Sequence, residues 1–247
     1  MNSFTPEGWL KDYLKRQRDG LTGHLEVAGY PFDTVGWDKF KDGIDYDCGV
    51  ASEWWPYEQT GYWVDGMTRC GMLLRDEFLM NKAEKSIRNV LDHPDADGYL
   101  GPRNLKKSDG TEISRWAHAV FFQALMAYSA LDASVIPAME RHYLSDTSGH
   151  YHNREACNLE MLLWLYQKTG NGALLERAEK AYERFNEESA QEDFSVESLE
   201  SDRVSTTHGV SFHEMAKLGV LMYLSTGKER YLKATVHGYE KIRRDQE

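Results

Sequence analysis

The sequence predicts an all-α protein, an (α/α) toroid of paired inner and outer helices, from three observations. Nearly every apolar pattern has the helical spacing, and no alternating strand pattern appears. The pattern at 116–122 is apolar on all sides, as in a buried inner helix, whereas 173–188 sets an apolar stripe against a charged face. An internal repeat joins two helical hairpins, and hairpins must stack to bury their apolar faces. We therefore expect a partial (α/α)6 barrel.

The elements follow in order along the chain. An amphipathic helix containing Trp9 and Tyr13 ends near Gly20, and a loop rich in Gly, Asp and aromatic residues continues to about Thr60. Asp97-Gly98 and Gly101-Pro102 mark an exposed turn. Further helices are expected at 61–74, 77–92, 114–131, 133–144, 155–168, 172–188, 208–225 and 229–244, with an acidic loop over 189–205. This predicts one structural domain, in which 1–60 packs on the helical hairpins of 61–247.

The repeat is visible at the hairpin turns. Tyr166-x-x-Thr169-Gly170 recurs 57 residues later as Tyr223-x-x-Thr226-Gly227. In each copy the glycine follows the end of a helix, where it can adopt the left-handed conformation that terminates helices. A second helix then runs back along the first.

Composition excludes several classes of function. The net charge of −11 over 247 residues makes nucleic acid and anionic membranes poor partners. The three cysteines, Cys48, Cys70 and Cys157, lack metal-ligand spacing and are expected to be free thiols. The first residues do not form a signal peptide, which predicts a cytoplasmic protein or a sequence without its leader.

The segment 54–66 contains five aromatic residues and two carboxylates, Glu58 and Asp65. Flat rings pack against sugar rings, and carboxylates accept hydrogen bonds from hydroxyls. A segment that lines the core explains the same composition equally well. If Glu58 already lies in the helix, it shares one face with Asp65 two turns later. The helical pattern from residue 61 instead places Glu58 before the helix, where its charge would favour the helix N-terminus. A role for these two residues in substrate contact is favoured over one in acid/base catalysis.

Several motifs together resemble glycoside hydrolase family 127 and its relatives, the β-L-arabinofuranosidase-like proteins. They are Gly8-Trp9-Leu10 with Asp19 to Leu25, then Tyr62 to Gly66, Asp97 to Pro102, Asn158-Leu159-Glu160 with Trp164 to Tyr166, and Thr207 to Val210. The resemblance implies a glycan-active (α/α)6 barrel whose relatives use a zinc-held cysteine nucleophile and a glutamate acid/base. In these relatives the catalytic motifs, including a Glu-x-Cys element, lie beyond the helix that follows Thr207 to Val210 and its partner helix, and the sequence stops where we expect that segment to begin. The triplet Glu155-Ala156-Cys157 has the Glu-x-Cys spacing but lies ahead of this region. We therefore expect the sugar-binding part of such a domain, with no catalytic residue, no metal site and no cofactor of its own.

The expected partner is a carbohydrate, either a plant-type glycan or an arabinofuranoside, with a homodimer or a completing C-terminal segment covering exposed inner helices. Residues expected to contact substrate near the barrel mouth have aromatic, acidic, guanidinium or imidazole side chains: Trp55, Tyr57, Glu58, Trp63, Asp65, Tyr99, Arg103, Arg115 and His208. Core packing, helix capping or surface ion pairs account for each of them as the alternative.

Two other functions are compatible with the sequence. An acylglucosamine-epimerase-like isomerase would need two opposed histidines, for which His118 and His208 are the candidates. A non-enzymatic helical-repeat scaffold would present the same aromatic residues to a protein partner.

Overall fold

The computed structural model describes residues 4–38, 54–102, 105–106, 115–146, 151, 153–189 and 192–245. Helices joined by turns make up these residues, which confirms the all-α class. The chain divides into two compact units, Met1–Ser145 and Asp146–Glu247. Each unit is built from helical hairpins and is described by itself.

The first unit contains six α-helices among its described residues. They are α1 (Gly8–Asp19), α2 (Leu21–His24), α3 (Trp55–Leu74), α4 (Glu77–Asp92), α5 (Trp116–Tyr128) and α6 (Val135–Ser145). The expected loop up to Thr60 is wrong at its end, because α3 begins at Trp55. Pro56 lies in the first turn of α3, where a missing backbone N–H breaks no helical hydrogen bond.

Helix α3 is the centre of the first unit and packs most extensively on α5. Gly61 permits the close approach, because a Cβ at this position would lie 3.2 Å from Val120 and 3.3 Å from the backbone nitrogen of Phe121. All residues of 116–122 are buried, which confirms α5 as a helix covered on all sides. At the other end of α3, Arg75 takes a left-handed conformation and Asp76 caps α4 by accepting from Leu79 N–H at 2.9 Å.

The second unit contains two hairpins and a short helix. They are α7 (Asn158–Thr169) with α8 (Gly172–Glu188), α9 (Val196–Glu200), and α10 (Gly209–Thr226) with α11 (Glu229–Asp245). The apolar stripe predicted on α8 is confirmed, since its buried residues are Leu174, Ala178, Ala181, Tyr182 and Phe185. The buried ammonium of Lys241 holds α9 by donating to Ser198 O at 2.8 Å and Ser201 O at 3.2 Å.

The two hairpin turns of this unit confirm the internal repeat in atomic detail. Gly170 and Gly227 have φ values of 70° and 71°, and each donates its N–H to the tyrosine carbonyl four residues earlier, at 2.8 and 2.7 Å. Thr169 and Thr226 each donate a hydroxyl to the carbonyl four residues earlier, at 2.9 and 2.7 Å. The repeated sequence therefore encodes a repeated turn.

Candidate functional site

One side of α3 carries polar and aromatic side chains that face α5. Glu58, Tyr62, Asp65 and Arg69 recur at helical spacing and lie within about 60° of one another around the helix axis. They face the same side as Trp116 and Gln123 of α5. We call these six residues the α3–α5 face. The expectation that Glu58 precedes the helix is therefore wrong: α3 begins at Trp55, so Glu58 and Asp65 share one face.

Glu58 is held rigidly at one end of this face. It is buried, and its Oε1 accepts a hydrogen bond from Trp116 Nε1 at 2.7 Å. A hydrogen bond between a carboxylate and an indole N–H fixes both side chains, because neither group is readily left unpaired in a buried site. The indole of Trp116 is therefore oriented by Glu58, and the pair forms a fixed wall of the face.

Asp65 lies two helical turns after Glu58 on α3, where it is paired with an arginine. Arg69 Nε donates to its Oδ1 at 2.7 Å, while the guanidinium also reaches Gln123 O at 3.3 Å and Gln123 Oε1 at 3.4 Å. Burial raises the pKa of Asp65 above its usual value, and the charge and hydrogen bond of Arg69 offset only part of this effect. The face therefore combines a partly desolvated carboxylate with a guanidinium and an amide, all groups that hydrogen-bond hydroxyls.

Between the two carboxylates lies Tyr62, whose side chain is 47% exposed. The exposed ring offers an apolar surface, and the partly exposed carboxylate of Asp65 lies one turn further along the helix as a hydrogen-bond acceptor. The seven residues from Glu58 to Asp65 correspond to a rise of roughly 10 Å. Glu58 is buried and bonded to Trp116, so the arrangement suits binding better than hydrolysis.

The structure brings together only some of the predicted site residues. Trp55 opens α3 on the same side as Glu58, and its ring stacks on Tyr30 with centroids 6.3 Å apart. Arg115 is half-buried and immediately precedes Trp116 at the start of α5. Trp55, Glu58, Asp65 and Arg115 thus remain candidates for one site.

Three predicted residues lie elsewhere in the first unit. Tyr57 is buried, and its ring meets the edge of Trp37 at 6.2 Å. Trp63 is on another side of α3, where its Nε1 donates to Thr22 O at 2.7 Å. Tyr99 is buried against His118, with ring centroids 5.3 Å apart. These side chains pack within the unit and do not line the α3–α5 face.

The remaining predictions fall outside this unit or outside the described residues. His208 is an exposed residue of the second unit, at the N-terminus of α10. The two residues before it are held by Asp193, whose Oδ2 accepts from the backbone N–H groups of Thr206 and Thr207 at 2.6 and 2.7 Å. Arg103 lies outside the residues that the structure describes.

The histidine expected for an isomerase is a core residue in this structure. His118 is 1% exposed, and its Nε2–H donates to Leu100 O at 2.9 Å. Its neighbouring imidazole is His142, stacked at a centroid distance of 5.2 Å. His118 therefore packs in the interior and is not a member of the α3–α5 face.

The set of predicted substrate-contacting residues omits four members of the face: Tyr62, Arg69, Trp116 and Gln123. Tyr62 is recoverable from sequence, because it is four residues after Glu58 and three before Asp65. Gln123 is not, since its contact with Arg69 joins residues 54 positions apart.

Among the residues described, no group of three or more His, Cys, Asp or Glu side chains could hold a metal ion. Within the same residues, no helix has the length and apolar character needed to cross a membrane.

Comparisons of the chain with protein-family models, curated proteins and solved structures found no match.

Proposed function

We propose that the α3–α5 face binds a carbohydrate, and that the chain is a glycan-binding relative of the arabinofuranosidase-like proteins. The observation that carries this proposal is the exposed ring of Tyr62 between the carboxylates of Glu58 and Asp65 on one side of α3. The ring supplies a surface for the apolar side of a sugar. Asp65, Arg69 and Gln123 supply acceptors and donors for its hydroxyls.

We also propose that the helical hairpins are arranged in a toroid. It is supported by the alternation of α5, buried on all sides, with amphipathic helices such as α8, and by the repeated turns at Gly170 and Gly227. In such a toroid the inner helices surround a central cleft, and the polar face of α3 would border it. The resemblance to family 127 in the sequence motifs supports the same arrangement.

The proposal is tested by screening the protein for binding to a panel of arabinofuranosides and plant-type oligosaccharides. The affinity of the tightest ligand is then measured by isothermal titration. Tyr62→Ala is expected to lower the affinity for that ligand at least tenfold, because it removes the ring and leaves the backbone of α3 intact. Tyr13→Ala is the matched control, since it removes a comparably exposed tyrosine (46%) from α1. If no glycan binds, or if both variants bind like the wild type, the proposal is wrong.

Hydrolysis is a separate measurement. Because Glu58 is buried and bonded to Trp116, the α3–α5 face is expected to give no turnover of an aryl β-L-arabinofuranoside. Turnover that is lost in both Glu58→Gln and Asp65→Asn would contradict this and would make the face catalytic.

A further inference from the structure

A cavity of about 460 Å³ lies in the first unit, on the side of α3 away from the α3–α5 face. Its walls come from the N-terminal segment, through Glu26 and Phe32, from α3, through Trp63 and Met67, and from α4, through Lys82. Cavities of this size hold small organic molecules. Because Met67 is roughly half a turn around α3 from Tyr62 and Asp65, the cavity shares no side chain with the proposed glycan site.

The aromatic walls of the cavity are fixed by contacts with one another and with residues outside the cavity. The indole N–H of Trp37 donates to Tyr57 O at 2.9 Å, and its ring stacks on Phe121 at 4.0 Å. Phe32 meets the edge of Trp63 at 5.9 Å, and Trp63 is tied to Thr22 O. A pre-formed aromatic cavity can bind an apolar group without the entropic cost of ordering its own walls.

Glu26 places a carboxylate in the wall of the cavity. Its Oε1 accepts from Lys82 Nζ at 2.6 Å, whereas its Oε2 is buried and has no hydrogen-bond partner in the described part of the chain. Burial acts to raise the pKa of Glu26, but the hydrogen bond and charge of Lys82 outweigh it and hold the pKa below its usual value. The carboxylate is therefore ionised at neutral pH, and its buried oxygen meets no donor among the described residues.

The two lysines of the cavity are already engaged by the chain. Lys82 Nζ also donates to Gly23 O at 2.6 Å and lies 5.3 Å from the ring centroid of Trp63. Lys85 forms an ion pair with Asp38 at 3.1 Å. Since these ammonium groups already have carboxylate partners, the cavity favours a ligand that donates hydrogen bonds over one that brings another anion.

We propose that this cavity binds a small organic cation, a protonated amine with an apolar body. The ammonium pairs with the carboxylate of Glu26, and the body packs against Phe32 and Trp63. Ammonium groups are favoured where aromatic rings and a carboxylate meet, because both attract positive charge. This site is independent of the proposed glycan site, and the outcome at one does not decide the outcome at the other.

The preference of the cavity for a positively charged ligand is tested by titration calorimetry of the whole chain at pH 7. Three probes of similar shape but different charge are compared. The probes are 2-phenylethylamine, 2-phenylethanol and 3-phenylpropionate. The amine is expected to bind at least tenfold more tightly than the alcohol, and the carboxylate is expected not to bind. Absence of amine binding, or equal affinity for amine and alcohol, would overturn the proposal.

Variants locate the binding site. Glu26→Gln is expected to lower the affinity for the amine at least tenfold. Glu77→Gln, which neutralises an exposed carboxylate in the first turn of α4, is expected to leave the affinity for the amine unchanged. Ser86→Leu extends a side chain into the cavity without altering charge and is expected to abolish binding while circular dichroism stays native. Unchanged affinity in either Glu26→Gln or a folded Ser86→Leu would place the amine elsewhere.

Discussion

At the scale of single residues, two buried histidines hold the backbone of Leu100 between them. His118 donates to the Leu100 carbonyl at 2.9 Å, and the Leu100 N–H donates to His142 Nδ1 at 3.0 Å. Burial lowers the pKa of His118 to about 3 and holds that of His142 well below its usual value, and the charge of Arg115 adds to both effects. Both imidazoles are therefore neutral in the folded protein, and His142 can accept this bond only in its neutral form.

This arrangement predicts how stability depends on pH. Below about pH 6.5 the two histidines take up protons in the unfolded chain but not in the folded one, so acid favours unfolding. The free energy of unfolding is expected to fall by about 1.4 kcal/mol per pH unit for each histidine as the pH drops from 6.5 towards 5. Urea unfolding at a series of pH values measures this slope.

His118→Gln keeps a donor near the position of Nε2 but cannot take up a proton. We expect it to reduce the slope by about 1.4 kcal/mol per pH unit, the contribution of one histidine. His93→Gln, which replaces an exposed histidine of the same unit, is the control and should keep the wild-type slope. The same slope in His118→Gln and the wild type would show that His118 is charged in the folded protein.

At the scale of elements, the sequence predicts a helix or turn correctly where the pattern depends on residues that are close together in the chain. The buried stripe of α8 and the two glycine turns follow from residues less than two helices apart. The start of α3 was misplaced because a run of aromatic residues containing Pro56 resembles a loop, whereas proline in the first turn is compatible with a helix. The burial of Glu58 depends on Trp116, 58 residues away, and no local pattern encodes such a contact.

The repeated hairpin turns give a prediction at this scale. At Gly170 and Gly227 an added Cβ meets no atom within 4 Å, so the cost of alanine comes only from its left-handed conformation. Gly170→Ala and Gly227→Ala are each expected to lower the free energy of unfolding by about 1–2 kcal/mol. Gly172→Ala is the matched control, since this glycine lies in α8 with equally open surroundings and alanine favours the helix. A loss in Gly172→Ala as large as in Gly170→Ala would contradict the conformational explanation.

At the scale of the whole molecule, the proposed toroid predicts that both units unfold together. Trp164 is the one tryptophan of 146–247, and the other six belong to 1–145. Tryptophan fluorescence therefore reports mainly on the first unit, while circular dichroism reports on the helices of both. Coincident urea transitions by the two methods are expected if the hairpins form one cooperative structure, and two separate transitions would contradict the single predicted domain.

The most direct test of the central claim is the affinity of the tightest glycan for the wild type and for Asp65→Asn, measured by isothermal titration. The substitution keeps the shape of the side chain but removes the charge that Arg69 contacts at 2.7 Å. If the α3–α5 face is the binding site, the affinity should fall at least tenfold, because a charge-assisted hydrogen bond to the sugar is lost. An unchanged affinity would contradict the assignment of carbohydrate binding to this face.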